Sequence, residues 1–154
     1  MTATSVDVAR RLADALEARG VDYALGGALA LGYYATPRAT VDVDINIFAA
    51  PASRLDEVLG LLRAEGFAPD SPDTLRRSAL EDGQFRGRID GVRVDVFVPA
   101  IEFYASLNDR KREVTLLGRP IQILGPEDLL ILKLMFFRRN VIRWTLIPNG
   151  AISP

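Results

Sequence analysis

The feature that most constrains the fold is an apolar run interrupted by acids at residues 41–48, Val-Asp-Val-Asp-Ile-Asn-Ile-Phe. Side chains alternate across a β-strand with a period of two, so Asp42 and Asp44 are predicted to share one face. The apolar residues that alternate with them are predicted to fill a hydrophobic core: Val41, Val43, Ile45 and Ile47. The run therefore predicts a sheet with one buried face and one acidic face.

Two ionised carboxylates on one face repel each other, and each resists ionisation unless a cation lies between them. The simplest reason for such a pair is a hard divalent metal ion, which takes oxygen ligands. The alternative is an edge strand whose acidic face is solvated, because acidic side chains are mostly exposed. The pair alone leaves both explanations open.

Composition limits the chemistry that this chain can perform. Its 154 residues are the length of about one domain, and 49% apolar with 25% charged residues is typical of a globular protein. The sequence contains no cysteine and no histidine, which excludes disulfides, thiolate ligands and imidazole bases. Acid–base or metal chemistry must come from Asp, Glu, Lys, Tyr or hydroxyl groups.

The charge pattern gives no sign of bulk polyanion binding or of membrane insertion. The net charge is −1, and all but two of the 19 cationic residues are arginine, a bias that a GC-rich genome also produces. The N-terminal residues lack the pattern of a signal peptide, and the apolar run 129–137 is too short to span a bilayer. We expect a cytoplasmic protein that does not contact membranes.

The periodicity predicts a mixed α/β domain, in the order α-β-α-β-α-β-β-α-β-β-α, with a small and partly antiparallel sheet flanked by helices. Helices are predicted over 5–19 with Ser5 as cap, over 28–35, 53–65 and 101–107, and from 126 onward. Strands are predicted over 21–25, 41–48, 85–89, 92–98, 114–117 and 120–124. Residues 67–83 are predicted to be a loop with about one helical turn, and Asp90-Gly91 the turn of a hairpin.

Two further features accompany the acidic strand. Gly26-Gly27 ends a predicted strand, where glycine would let a phosphate approach the backbone, although a plain strand-to-helix turn is the alternative. Asp95 is the one acid of a later apolar strand, and Arg93 on its face could simply neutralise it. If the two strands are neighbours, three carboxylates meet and could hold two metal ions about 3.5–4 Å apart.

The combination of Gly26-Gly27, Arg38-x-Thr40-x-Asp42-x-Asp44 and a later Asp95 resembles the nucleotidyltransferase superfamily of the DNA polymerase β type. The segment Pro126-Glu127-Asp128-Leu129 followed by Lys133 resembles a later helix of that family. The closest resemblance is to minimal bacterial nucleotidyltransferases and to toxin-like proteins of the AbiEii type, over about residues 5–137. It implies a nucleotidyltransferase domain at 1–137 and an atypical, irregular or truncated tail at 138–154.

The resemblance implies roles for the residues that carry it. Asp42, Asp44 and Asp95 would hold Mg²⁺ or Mn²⁺, and Asp95 would also orient or deprotonate the acceptor. The residues implied to bind the nucleotide are Gly26, Gly27, Arg38, Thr40 and Lys133. At the second glycine, relatives often have a serine whose hydroxyl adds a phosphate contact.

The implied activity is metal-dependent transfer of a nucleoside monophosphate from a triphosphate such as ATP to an acceptor hydroxyl. The acceptor would be RNA such as tRNA, a protein or a small molecule, and the partner an antitoxin or toxin subunit or a second copy of the chain. The alternatives are a catalytically inactive protein of the same fold that serves as a binding or regulatory subunit, and a two-metal phosphodiester hydrolase.

Overall fold

The computed structural model describes residues 2–37 and 39–145, with side chains described through residue 135. Within these ranges the chain is a mixed α/β domain, which confirms the predicted fold class. None of the described helices is both long and apolar enough to cross a membrane. The helices are α1 (Ser5–Ala18), α2 (Gly27–Leu31), α3 (Pro51–Ala64), α4 (Leu75–Glu81), α5 (Glu102–Ser106), the 3-10 turn Leu107–Arg110 and α6 (Pro126–Thr145).

Seven strands form one mixed sheet in the order β3-β4-β5-β2-β1-β7-β6. The central strand β2 runs parallel to β5 on one side and antiparallel to β1 on the other. The pairs β4–β5 and β6–β7 are antiparallel hairpins, and the first is the one predicted at Asp90-Gly91. The strands are β1 (Tyr23–Leu25), β2 (Asp42–Ile47), β3 (Ala68–Pro69), β4 (Gln84–Ile89), β5 (Val92–Phe97), β6 (Arg112–Leu116) and β7 (Arg119–Ile123).

One face of the central strands forms the hydrophobic core, against α1. Val43, Ile45 and Ile47 are fully buried, as the period-two pattern predicted. The prediction for Val41 was wrong: it lies before the strand begins and is 79% exposed. Side chains alternate between the two faces of a sheet only where the strand is paired. Val41 lies outside the paired part of the strand, so the alternation does not predict its burial.

Helix α1 begins with a capping box that the sequence prediction placed one residue late. Thr4 is the N-cap, its hydroxyl accepting from the Asp7 backbone N–H while the Asp7 carboxylate accepts from the Thr4 N–H. Ser5, predicted as the cap, is the first helical residue, and its hydroxyl donates to the Thr40 carbonyl at 2.9 Å. The start of α1 is thereby joined to the segment that enters β2.

The prediction of a loop over residues 67–83 was wrong. The short strand β3 pairs with β4, and α4 packs against α3 and β4 with Leu75 and Ala79 buried. A seven-residue helix with two buried anchors has little periodicity of its own, and packing rather than propensity stabilises it. Strand β1 also begins two residues later than predicted, at Tyr23.

Helix α6 extends from Pro126 to Thr145 and so continues past residue 137, where the predicted domain boundary lies. Residues 146–154 of the predicted tail lie outside the described residues. The helix is anchored at its start because both carboxylate oxygens of buried Asp128 accept from Arg110 Nε, at 2.9 and 3.1 Å. This ion pair positions the helix that faces the glycine pair.

We predict that Arg110→Ala lowers the melting temperature by several degrees, because it leaves the buried Asp128 carboxylate without a compensating charge. Adding Asp128→Asn to that variant should restore part of the loss, since the substitution removes the buried charge. Thermal unfolding measures both, with Arg77→Ala, an exposed arginine of α4, as the matched control. An unchanged melting temperature for Arg110→Ala would contradict this account of the helix anchor.

Candidate active site

Strand pairing places the predicted acids side by side. In the parallel pairing of β2 with β5, Asp44 is the direct partner of Asp95, and Asp42 is the partner of Arg93. Paired residues share a face, and this face is opposite the one formed by Val43 and Ile45. The three carboxylates, which we call the acidic cluster (Asp42, Asp44 and Asp95), therefore occupy one patch of the sheet.

The glycine pair lies directly against the acidic cluster. Gly26 donates its backbone N–H to the Asp44 carbonyl at 2.9 Å, and Gly27 adopts a φ of +56°. A Cβ built on Gly27 would collide with the Asp44 carboxylate oxygen Oδ2. Glycine is thus required at 27 both by the left-handed backbone and by lack of space, so the serine of relatives would not fit this conformation.

Burial and like charge shift the titration of Asp44. Burial, followed by the neighbouring charges of Asp95 and Asp42, raises the pKa of its carboxyl to about 6, while the charge of Arg93 opposes the rise. A raised pKa is expected for a carboxyl that is buried and lies beside other carboxylates.

Arginines engage the third acid. Buried Asp95 accepts from Arg86 Nε at 2.5 Å through Oδ1, and Arg93 lies 3.3 Å from its Oδ2. The Nε atom of Arg93 is buried and has no hydrogen-bond partner in the part of the chain that the structure describes. Among the described residues, no three His, Cys, Asp or Glu side chains form a ready-made metal site.

The donor set nevertheless suits a hard divalent cation. Asp42 and Asp44 have no arginine bonded to them among the described residues, and the raised pKa of Asp44 would fall once a cation bound. Asp95 would need to exchange an arginine contact for the metal. The chemistry of the cluster thus fits Mg²⁺ or Mn²⁺, with Asp42 and Asp44 as the accessible ligands.

Two of the predicted nucleotide-binding residues precede β2. The Thr40 hydroxyl donates to the Asp42 carbonyl at 3.1 Å and accepts from the Asp42 N–H at 3.3 Å. Its contacts thus orient the start of β2. Arg38 lies outside the described residues, so its predicted phosphate contact stays a prediction.

A cleft of about 520 Å³ opens beside the glycine pair. One wall contains Gly26, Gly27 and Asp44, and the other is formed by α6, including Lys133. Lys133 is exposed and lines this cleft. The cleft thus brings together the predicted glycines, one predicted metal ligand and the predicted lysine.

Two residues of the site were missed or misjudged from the sequence. No role was predicted for Asn46, which is 4% exposed and lines the cleft. Arg86 was not considered, although the Asp90-Gly91 turn pairs Ile89 with Val92 and so sets Arg86 opposite Asp95. Counting back from that two-residue turn would have found it.

No protein-family model and no curated protein matches this chain. Solved structures do match. A solution structure of the antibiotic-resistance factor ANT(2'')-Ia has a TM-score of 0.64 and 16% identity, over 99% of this chain and 80% of the other. A crystal structure of ANT(2'')-Ia in complex with adenylyl-2''-tobramycin has a TM-score of 0.63 and 15% identity, over 87% and 76%.

An antigenic nucleotidyltransferase-like protein from Paracoccidioides brasiliensis matches with a TM-score of 0.59 and 19% identity, over 88% of this chain and 67% of that one. At these identities the likeness establishes the architecture alone. The chain has the fold of nucleotidyltransferases, as its motifs predicted.

We predict that Gly27→Ala destabilises the protein by about 2 kcal/mol, because the new Cβ meets both a left-handed backbone and the Asp44 carboxylate. Gly60→Ala is the matched control: nothing lies within 4 Å of its Cβ, and alanine in α3 should stabilise by about 0.5–1 kcal/mol. Urea unfolding measures both. Equal effects of the two substitutions would refute the close packing at Gly27.

We predict that Asp44→Asn stabilises the metal-free protein at neutral pH but not in acid. The folded pKa of about 6 exceeds the ordinary value of 3.8, so the wild type loses stability as pH rises through this interval. At pH values above this interval, the wild type has lost about 3 kcal/mol of its free energy of unfolding, and the asparagine variant avoids that loss.

Urea unfolding in chelator, from acid to neutral pH, measures this difference. Asp73→Asn, at an exposed acid of the 67–83 segment, is the control and should lose stability with rising pH as the wild type does, because it retains Asp44. A wild-type stability that does not fall relative to Asp44→Asn between these limits would contradict the crowding of the acidic cluster.

Proposed function

We propose that this chain transfers a nucleoside monophosphate from a nucleoside triphosphate to an acceptor hydroxyl, with Mg²⁺ or Mn²⁺ as cofactor. The observation that carries the proposal is the contact of the glycine pair with Asp44 in one cleft, with Asp95 beside Asp44 as its strand partner. The nucleotidyltransferase fold supports it, as does the neighbour whose crystal structure holds an adenylylated aminoglycoside.

Each group of residues would contribute a different part of the reaction. Gly26 and Gly27 would admit the triphosphate to the backbone, and Lys133 would contact its phosphates across the cleft. Asp42 and Asp44, joined by Asp95, would hold the metal, which supplies charge neutralisation at the phosphates. Most of the rate would come from positioning and preorganised charge.

Asp95 would act on the acceptor. In the proposed step the acceptor oxygen attacks the α-phosphorus, its proton passes to a carboxylate, and the bond to pyrophosphate breaks. Asp95 lies on the β5 side of Asp44, away from the glycine pair on the β1 side. An acceptor bound over β5 would therefore approach opposite to the departing pyrophosphate.

A second candidate function is a catalytically inactive binding or regulatory subunit. It is favoured by the two arginines on Asp95 and by the lack of a ready-made metal group in the described ranges. A phosphodiester hydrolase is less well supported, because hydrolysis needs no glycine pair for a triphosphate. ATP as the donor, a toxin–antitoxin role, and a partner subunit or second copy at the acceptor side are proposals that rest on the resemblance alone.

We predict that Asp42→Asn combined with Asp44→Asn abolishes metal-dependent nucleotide binding. Calorimetry with a non-hydrolysable triphosphate analogue, in Mg²⁺ and in chelator, measures this, and we expect affinity at least about tenfold lower in the variant. The control pairs Asp56→Asn with Asp73→Asn, two exposed acids away from the cleft. Wild-type protein that binds the analogue equally with and without metal would refute the proposed metal site.

Transfer itself is tested by mass spectrometry of candidate acceptors incubated with each ribonucleoside triphosphate and Mg²⁺. A covalent nucleotide adduct that the double variant does not form would support the proposal. Nucleotide binding without any adduct would favour the inactive subunit, and phosphodiester cleavage without nucleotide would favour the hydrolase.

A further inference from the structure

Three arginines lie beside the acidic cluster on the β4–β5 hairpin. Register pairs Arg86 with Asp95 and Arg88 with Arg93, so the three, which we call the arginine cluster (Arg86, Arg88 and Arg93), share the face of the acids. Resting on the proposed function, we propose that the arginine cluster binds phosphate groups of the acceptor. The acceptor would then be a nucleic-acid 3′ end, whose reactive hydroxyl lies beside a phosphodiester.

The arginine cluster has unused hydrogen-bonding capacity. A guanidinium carries five N–H donors in a planar fork that matches phosphate oxygens. Arg86 donates through Nε to Asp95, Arg88 donates to the Gly91 carbonyl at 3.0 Å, and Arg93 approaches Asp95 through one terminal nitrogen. With Arg93 Nε unpaired as well, most donors of the cluster have no protein partner among the described residues.

Metal binding by the acids would leave the arginine cluster in need of an anionic partner. The acids and arginines of the two clusters are equal in number, and Asp95 is held by two of the arginines. If the carboxylates serve as metal ligands, Arg86 and Arg93 lose their anionic partner. A phosphate is the anion that an acceptor could supply in its place, and bidentate arginine–phosphate contacts are strong.

The order of the strands places the arginine cluster and the proposed nucleotide-binding residues on opposite sides of Asp44. The glycine pair and Lys133 lie toward β1 and α6, whereas the arginine cluster lies on β4 and β5, on the other side of Asp44. The donor triphosphate and the arginines therefore flank the acids from opposite directions. A polycationic aminoglycoside would meet like charge there, so the acceptor chemistry should differ from that of the ANT(2'')-Ia complex.

The test measures binding of a short fluorescent oligoribonucleotide, and of its deoxyribonucleotide counterpart, by anisotropy in Mg²⁺ without triphosphate. We expect the variant with Arg86→Gln, Arg88→Gln and Arg93→Gln to bind about tenfold more weakly or worse, with a salt slope shallower by about 2. A variant with lysine at the three positions should retain most of the binding and shows that the folded surface tolerates substitution. Comparing the affinities for the two oligomers shows whether the 2′-hydroxyl of the ribose contributes to binding.

The matched control carries Arg19→Gln, Arg63→Gln and Arg77→Gln, three exposed arginines on helices or their ends. It should bind like the wild type. Failure of the wild type to bind either oligomer, an equal loss in the control, or unchanged binding of the glutamine variant would overturn the inference. Adenylyl transfer to tobramycin, with oligomers left unmodified, would overturn it too.

The outcome remains separable from the proposed function. Metal-dependent binding of the triphosphate analogue by a protein that ignores both oligomers would leave nucleotidyl transfer standing and remove the phosphate site. Oligomer binding through the arginine cluster, without binding of the analogue, would support the phosphate site and count against nucleotidyl transfer.

Discussion

The parallel pairing of β2 with β5 is the constraint on which the rest of the structure depends. It sets Asp44 opposite Asp95, an arrangement that burial and mutual repulsion make costly and that raises the pKa of Asp44 to about 6. The pairing persists because the opposite faces of the same strands are fully buried, with Val43 against Val94 in the ladder. A slip of one residue would expose those valines, so the hydrophobic core holds the carboxylates together.

The same strand positions the glycine pair. Gly26 is bonded to the backbone of Asp44, and Gly27 leaves the space that the Asp44 side chain fills. The turn that would receive a triphosphate and the carboxylate that would hold a metal are therefore one packed unit. The site is built from backbone geometry and core packing more than from contacts between its functional side chains.

The sequence contained enough information for the central part of this arrangement and too little for its periphery. Period-two alternation identified β2 and β5, and Asp90-Gly91 identified the hairpin, because these signals are local. That β2 and β5 are neighbours stayed a condition of the metal-site hypothesis, since parallel pairing has no local signature. Helix α4 was missed because its stability comes from packing, and the raised pKa of Asp44 depends on burial that no sequence pattern encodes.

The arginines explain why a cluster of three acids can exist without a metal group already formed. In a partly buried patch, uncompensated carboxylates would weaken the fold, and Arg86 and Arg93 supply the compensation at Asp95. Asp42 and Asp44 have no such partner among the described residues, so the part of the cluster nearest the glycine pair is the part still able to accept a cation. The charge arrangement thus divides the patch into a proposed metal side toward β1 and a proposed anion side toward β4. That division follows the strand order and suits the proposed in-line displacement, in which the acceptor oxygen attacks the α-phosphorus opposite the departing pyrophosphate.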